Sequence, residues 1–226
     1  MAAAVILSMT GCQDAAVNPF EQPPPVQVNV GKFPLAVGNY WTYLINYPDK
    51  TYIDTLKISI ISKYLIEKAD TNVDCFNYLE KYSSEDPRYS GHLLGKIFSY
   101  KNAVFMTQNN RYVYDPPQYS RVLIDSMFAG AAWEDTLFQN LAGINSIIER
   151  RIIETKLDTM LYSIKYRSCF KIGRYWLYSN SDRKDTIKTG TDIYCPGIGI
   201  IYQNFGTEGA VYEERILKDY MFSIKN

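Results

Sequence analysis

Apolar and polar residues alternate with a period of two along most of this chain. Between residues 55 and 60, Leu56, Ile58 and Ile60 share one phase while Lys57 and Ser59 take the other. Successive strand residues point to opposite faces, so this pattern marks half-buried β-strands. Between 162 and 172, Tyr162, Ile164, Tyr166, Phe170 and Ile172 stand in phase against Ser163, Lys165, Arg167 and Lys171. Cys169 falls in the polar phase unless a bulge shifts it. Strand-like runs also cover 40–47, 75–82, 96–100, 103–108, 111–115, 120–125, 147–154, 174–179, 200–205 and 211–217. Turn residues punctuate them, among them Pro48-Asp49, Asn109-Asn110 and Gly206 to Gly209. Many short strands at this spacing predict an antiparallel, all-β fold: a curved sheet or half-barrel, or a sandwich. Only 135–148 admits a helix, with Asp135 as its cap, and Gly143 weakens it.

A faint echo divides the pattern. Phe33-Pro34-Leu35-Ala36-Val37-Gly38-Asn39-Tyr40-Trp41 returns as Met127-Phe128-Ala129-Gly130-Ala131-Ala132-Trp133. In each, an apolar stretch leads to Gly-x-x-Trp and then a strand. Glycine permits a positive-φ turn, and the tryptophan enters the core as the strand begins. This suggests one β-rich domain over 32–226 with two similar halves, 32–118 and 119–226.

The N-terminus carries a different signal. Ala2 to Met9 form a short apolar run, followed by Thr10, Gly11 and Cys12. The run is too short for a bilayer core of about 30 Å. It matches a signal peptide over 1–11 that ends in small residues before a lipidated Cys12. Residues 12–31, with Pro19, Pro23, Pro24 and Pro25, then read as a semi-rigid tether. The expected location is extracytoplasmic, lipid-anchored to a bacterial membrane. Gln13 after the cysteine points toward an outer membrane.

Composition narrows the chemistry. The 24 basic and 24 acidic residues leave no net charge, which argues against nucleic acid as a partner. One histidine, His92, and no aligned Cys/His spacing argue against most transition-metal sites. The 20 tyrosines are spread along the whole chain and read as β-sheet residues rather than a clustered aromatic platform. With Cys12 acylated, Cys75, Cys169 and Cys195 allow one disulfide, and Cys169 with Cys195 is the pair to test.

The chain resembles a broad group of bacterial β-rich lipoproteins that carry no assigned activity. Their opening phrase is matched by Phe33, Pro34, Leu35, Gly38, Trp41 and Tyr43, and their mid-chain Gly-x-x-Trp by Gly130 and Trp133. An aromatic-flanked cysteine follows at Cys169-Phe170. Near the end, Tyr194-Cys195-Pro196-Gly197-Ile198-Gly199 matches a Tyr-x-Pro-Gly-x-Gly phrase. The resemblance implies an extracytoplasmic β domain, such as the curved sheet of periplasmic lipoprotein carriers. It departs at Arg167-Ser168, where the group often places Gly or Ala before the cysteine.

No nucleophile elbow, zinc-protease motif or phosphate loop is present. His92 reads as a loop or packed imidazole. The paired carboxylates Glu85-Asp86, Glu134-Asp135 and Glu213-Glu214 read as solvated charges: adjacency in sequence does not make two carboxylates face each other, and Glu213-Glu214, on a strand, point to opposite faces. No catalytic residue, metal ligand or cofactor is assigned. The expected function is a non-enzymatic, membrane-anchored binding or interaction module, whose partner is an envelope protein, lipid or glycan. The alternatives are a periplasmic carrier of lipid or another hydrophobic ligand, and a hydrolase with scattered carboxylates.

Overall fold

The computed structural model describes residues 26–27, 33–68, 71–83, 92–107, 119–139, 145–179, 184–207 and 209–223. The strands are β1 (Val26–Gln27), β2 (Tyr40–Asn46), β3 (Ile53–Lys68), β4 (Thr71–Tyr82), β5 (His92–Tyr100), β6 (Ala103–Thr107) and β7 (Tyr119–Ile124). They continue with β8 (Ser126–Met127), β9 (Ala132–Gln139), β10 (Asn145–Leu161), β11 (Ile164–Ser179), β12 (Lys184–Cys195), β13 (Gly199–Thr207) and β14 (Ala210–Met221). No helix occurs among the described residues. The helix expected over 135–148 is replaced by the end of β9 and the start of β10, whose ladder pairs Ile147 with Thr136 and Ile148 with Asp135.

Twelve strands form one antiparallel sheet in the order β7-β6-β5-β4-β3-β2-β14-β13-β12-β11-β10-β9. It consists of two six-stranded meanders, β2–β7 and β9–β14, joined where β2 pairs with β14. Strand pairing thus divides the chain between Ile124 and Ala132, later than the division at residue 118 that the sequence pattern suggests. The two end strands, β7 and β9, come back together. The result is a nearly closed, barrel-like sheet. β1 and β8 make a separate two-stranded ribbon.

The Gly-x-x-Trp echo corresponds to one repeated turn. Gly38 has φ +92° and its N–H donates to the Ile60 carbonyl at 2.9 Å. Gly130 has φ +87° and donates to the Ile152 carbonyl at 2.9 Å. Both Ile60 and Ile152 return the bond, to Asn39 and Ala131. A side chain at either glycine would force the left-handed region. Each turn delivers a buried tryptophan, Trp41 or Trp133, whose indole N–H reaches a distant carbonyl: Ile198 at 2.7 Å or Arg121 at 2.8 Å.

The concave face is filled mainly by the chain's own apolar side chains. Trp41, Tyr43, Ile45, Leu56, Ile60, Tyr78, Ile152, Ile172, Tyr194 and Ile201 belong to one buried cluster. Each fully buried Leu or Ile contributes about 1.5–3 kcal/mol. The Tyr43 hydroxyl donates a hydrogen bond to the Ile200 carbonyl at 2.8 Å, so its polar end is satisfied.

A bulge resolves the phase of Cys169. The β10–β11 ladder shifts register around Leu157, and Ser168 takes φ +55°. Cys169 and Phe170 are consequently both buried. Ser168 sits at this irregularity of β11. Its strained conformation is one that glycine adopts freely. Tyr162 and Ser163 (φ 46° and 68°) form the two-residue turn between β10 and β11, so Tyr162 leaves the strand pattern.

Candidate functional site

Inside the barrel lies a cavity of about 260 Å³, walled by strands from both meanders. Its polar wall comes from residues that stand in phase with apolar neighbours. Arg150 lies between Ile148 and Ile152 on β10, Arg174 between Ile172 and Trp176 on β11, and Glu80 between Tyr78 and Tyr82 on β4. Alternation sends all of them inward with the core. Asp192 on β12 and Arg215 on β14 complete the charged lining.

Arg150 and Arg174 face each other directly across the β10–β11 ladder, an unfavourable like-charge pairing. Arg174 is relieved from the far side. Its Nε lies 2.9 Å from Asp192, and its Nη2 donates to the Asn204 carbonyl at 2.8 Å. To get there it crosses β12 at Gly190, where a Cβ would fall 2.6 Å from the Asn204 oxygen and 3.0 Å from Arg174 Nη2. Asp192 also accepts from Gln203 at 2.9 Å. The Phe205 ring is flanked by two guanidiniums, Arg174 at 4.4 Å and Arg215 at 4.8 Å. Arg215 is tied to Glu213 at 2.6 Å.

Tyr78 repeats the crossing on the opposite wall. It lies over Gly95 of β5 and donates to the Thr107 carbonyl at 3.3 Å. A Cβ on Gly95 would fall 2.1 Å from the Tyr78 ring.

Arg150 is the least satisfied of the three arginines. It is only 3% exposed. Its Nη2 donates to Ser120 at 3.3 Å and its Nη1 stands 3.7 Å from Asp135. Asp135 is already held by Arg121, at 2.9 Å to the backbone N and 2.8 Å to Nε. Nε and Nη1 of Arg150 have no hydrogen-bond acceptor. Burial pushes this guanidinium down to about 10, Asp192 and Asp135 oppose the shift, and Arg174 and Arg121 add to it. Burial also lowers Arg174, against Asp192. Burial likewise disfavours charge on Arg215, yet Tyr82, Glu213 and Glu80 outweigh it and raise the group. All three stay cationic at neutral pH.

Two other hollows differ in kind. A mostly apolar space beside Trp41 and Ile97, which Gln203 also lines, measures about 50 Å³. A hollow of about 300 Å³ on the other face of the sheet lies over Gly173 and Gly206, and no charged side chain lines it. Among exposed apolar residues, Met160, Tyr162 and Ile164 gather at the β10–β11 hairpin tip.

The residues singled out from sequence fare unevenly. Cys12, Glu85-Asp86 and the tether apart from Val26-Gln27 lie outside the described residues, as does the His92 side chain. Two carboxylate pairs expected to be merely solvated are engaged. Asp135 binds Arg121, Glu134 binds Lys184, Glu213 binds Arg215, and Glu214 accepts from Tyr202 at 2.8 Å. Their partners come from places that sequence adjacency does not show: Arg121 across the β7–β9 seam, Lys184 on β12, Tyr202 on β13 and Arg215 two residues further along β14. Cys169 and Cys195, both buried free thiols, approach one carbonyl, that of Arg167, at 3.7 and 3.6 Å. Cys75 lies in a separate small cluster with Val73 and Phe98. Among the described residues, no three His, Cys, Asp or Glu side chains converge as metal ligands. Sequence reading missed Arg150, Arg174, Asp192, Glu80 and Arg215. Their signal was a charge standing in the apolar phase of a strand.

No protein-family model matches the chain, and no curated protein matches its sequence significantly. Solved structures do share its architecture. One, described as a putative exported protein with a YmcC-like fold from Bacteroides fragilis, superposes with a TM-score of 0.52 at 12% identity. That match covers 84% of this chain and 98% of the other. A second, described as a putative lipoprotein from Parabacteroides distasonis, gives a TM-score of 0.55 at 12% identity, covering 86% and 99%. At this identity the likeness is one of fold.

Proposed function

We propose that the protein is a lipid-anchored binding module of the bacterial cell envelope, held to the outer membrane through Cys12, with a non-enzymatic, barrel-like domain. The fold likeness to proteins described as exported or as a lipoprotein supports that location. So does the resemblance of the Phe33–Trp41 and Tyr194–Gly199 phrases to bacterial β-rich lipoproteins.

The observation that carries the binding role is the charged interior cavity. Ligand pockets usually measure about 300–1,000 Å³ and place a few polar groups on a largely apolar wall. The cavity of about 260 Å³ falls just below that range. It suits a small polar ligand and speaks against a lipid carrier, since the mostly apolar space beside it is only about 50 Å³. Asp192 is already bonded to Arg174 and Gln203, which leaves it poorly placed as one half of a hydrolytic carboxylate pair.

The anchor is tested with Cys12→Ala. Loss of acyl labelling and release from the membrane fraction are expected, and a variant that stays lipidated overturns the assignment. The carrier alternative is tested by displacement of a fluorescent fatty acid, for which no uptake by the full-length protein is expected.

A further inference from the structure

We infer that the barrel cavity is a binding site for a small organic carboxylate, and that Arg150 is its principal anchor. The inference rests on the binding-module reading and names the ligand class. Burying a charged group with unmade hydrogen bonds is expensive, so such groups are normally paired or bound to something. Arg150 is buried, lines the cavity, and keeps two nitrogens without acceptors. The surrounding carboxylates cannot easily turn to it. Asp135 is held by Arg121 from two donors, Asp192 by Arg174 and Gln203, and Glu213 by Arg215. Arg174 has the Asp192 ion pair and the Asn204 carbonyl, Arg215 has Glu213, and Arg150 is left with the most unmet donors beside an open space.

Charge selects the class of anion. With Arg215 tied to Glu213 and Arg174 to Asp192, Arg150 is the lining cation without a close counter-charge, since Asp135 stands 3.7 Å away and is held by Arg121. A monoanion matches that one charge. A phosphate dianion would overshoot, beside two carboxylates already present. The neighbouring rings of Phe205 and Trp176 offer apolar walls for the carbon skeleton. The volume limits that skeleton to something near a single sugar or amino-acid unit.

The test is a thermal-shift and calorimetric titration of the full-length protein with acetate, glucuronate, glucose and inorganic phosphate. Ligands that bind only the folded state raise its melting temperature by mass action. Glucuronate should bind and stabilise, neutral glucose should not, and phosphate should bind more weakly than glucuronate. Arg150→Met should weaken glucuronate roughly tenfold or more, the loss of at least one charge-assisted hydrogen bond. Asp135 keeps Arg121 as its partner when Arg150 is replaced, so the substitution leaves no unpaired buried carboxylate behind. Should the Met variant fail to fold, Arg150→Lys keeps the charge, removes donors and should give an intermediate loss. Binding unchanged in the folded variant overturns the role of Arg150. Phosphate binding as tight as glucuronate overturns the choice of a carboxylate. No response to any anion overturns the site and leaves the cavity to water. None of these results depends on Cys12 acylation, so the anchor assignment and the ligand assignment fail separately.

Discussion

The barrel has two seams between its meanders, and they are built differently. At one, β2 and β14 share a regular ladder from Tyr40↔Met221 to Asn46↔Glu214, interrupted by one irregularity near Leu217. At the other, β7 and β9 meet through side chains. Arg121 donates to Asp135 and to the Glu134 carbonyl, and Trp133 donates back to the Arg121 carbonyl at 2.8 Å. Backbone pairing is sequence-tolerant, whereas a side-chain seam concentrates closure in a few residues. The second seam also carries the cavity's loose end, because Asp135 is shared between closing the barrel and facing Arg150. On the β7–β9 side one side chain, Asp135, both closes the barrel and faces Arg150, whereas the β2–β14 side closes by its backbone ladder even though Arg215 of β14 lines the cavity.

The equivalent tryptophans give the sharpest way to break this contrast. Trp133→Ala should cost about 3–5 kcal/mol, as for other large buried aromatics. Hydrogen exchange should accelerate in β7 and β9 while β2 and β14 stay protected. Trp41→Ala should cost a similar amount without opening β2 from β14, because the ladder persists. Equal exchange at both seams in both variants would show that the two junctions are mechanically alike.

Asp135→Ala should cost about 3 kcal/mol, because it strips a buried partner from Arg150 and the bidentate contact from Arg121. Denaturant unfolding measures the loss, and the β7–β9 seam should again be where protection falls.

Alkaline titration addresses the core that both seams enclose. Burial raises the hydroxyls of Tyr43, Tyr78 and Tyr194 well above the usual value of 10. A raised folded value means that the stabilising contribution is complete below about pH 10 and is lost as pH climbs from there toward the folded value. Each such tyrosine should remove up to about 1.4 kcal/mol per pH unit in that window. Tyrosinate absorbance should therefore rise in two stages, exposed rings first and these three only with unfolding. A single smooth transition with the fold intact would contradict their burial.

The smallest effect is expected at Ser168, away from either seam. Ser168→Gly relieves left-handed strain of about 1–2 kcal/mol but adds unfolded-state entropy of roughly 0.5–1 kcal/mol. A net gain near 0.5 kcal/mol is expected, read as a small rise in melting temperature with both seams unchanged.

Strands with one apolar face were legible in the sequence. Leu56, Ile58 and Ile60 mark β3, and the repeated Gly-x-x-Trp marks the entry to both meanders. β12 was not legible, because its inward face includes Gly190 and Asp192, one chosen to let Arg174 pass and the other to bind it. Neither residue scores as apolar. β9 was confused with a helix start because Asp135 looks like a cap, while in the fold it is a seam residue. The cavity was hidden for the same reason: an arginine between two isoleucines reads as noise in a period-two pattern until the sheet curls and places it opposite another strand's charges. The phase of Cys169 was open in the sequence because a bulge leaves no compositional mark when serine occupies the position that suits glycine.

The small β1–β8 ribbon bears on how force would enter this molecule. Val26 pairs with Met127 and Gln27 with Ser126, in the segment that runs from β7 to β9. Tension applied through the N-terminal segment therefore arrives between the two strands that lack a ladder to each other, rather than along the continuous β2–β14 edge. A pull from the membrane side would load the side-chain clasp first. The ribbon then acts as a strain point, where movement of whatever holds the N-terminus could be felt at Asp135 and, through it, at Arg150.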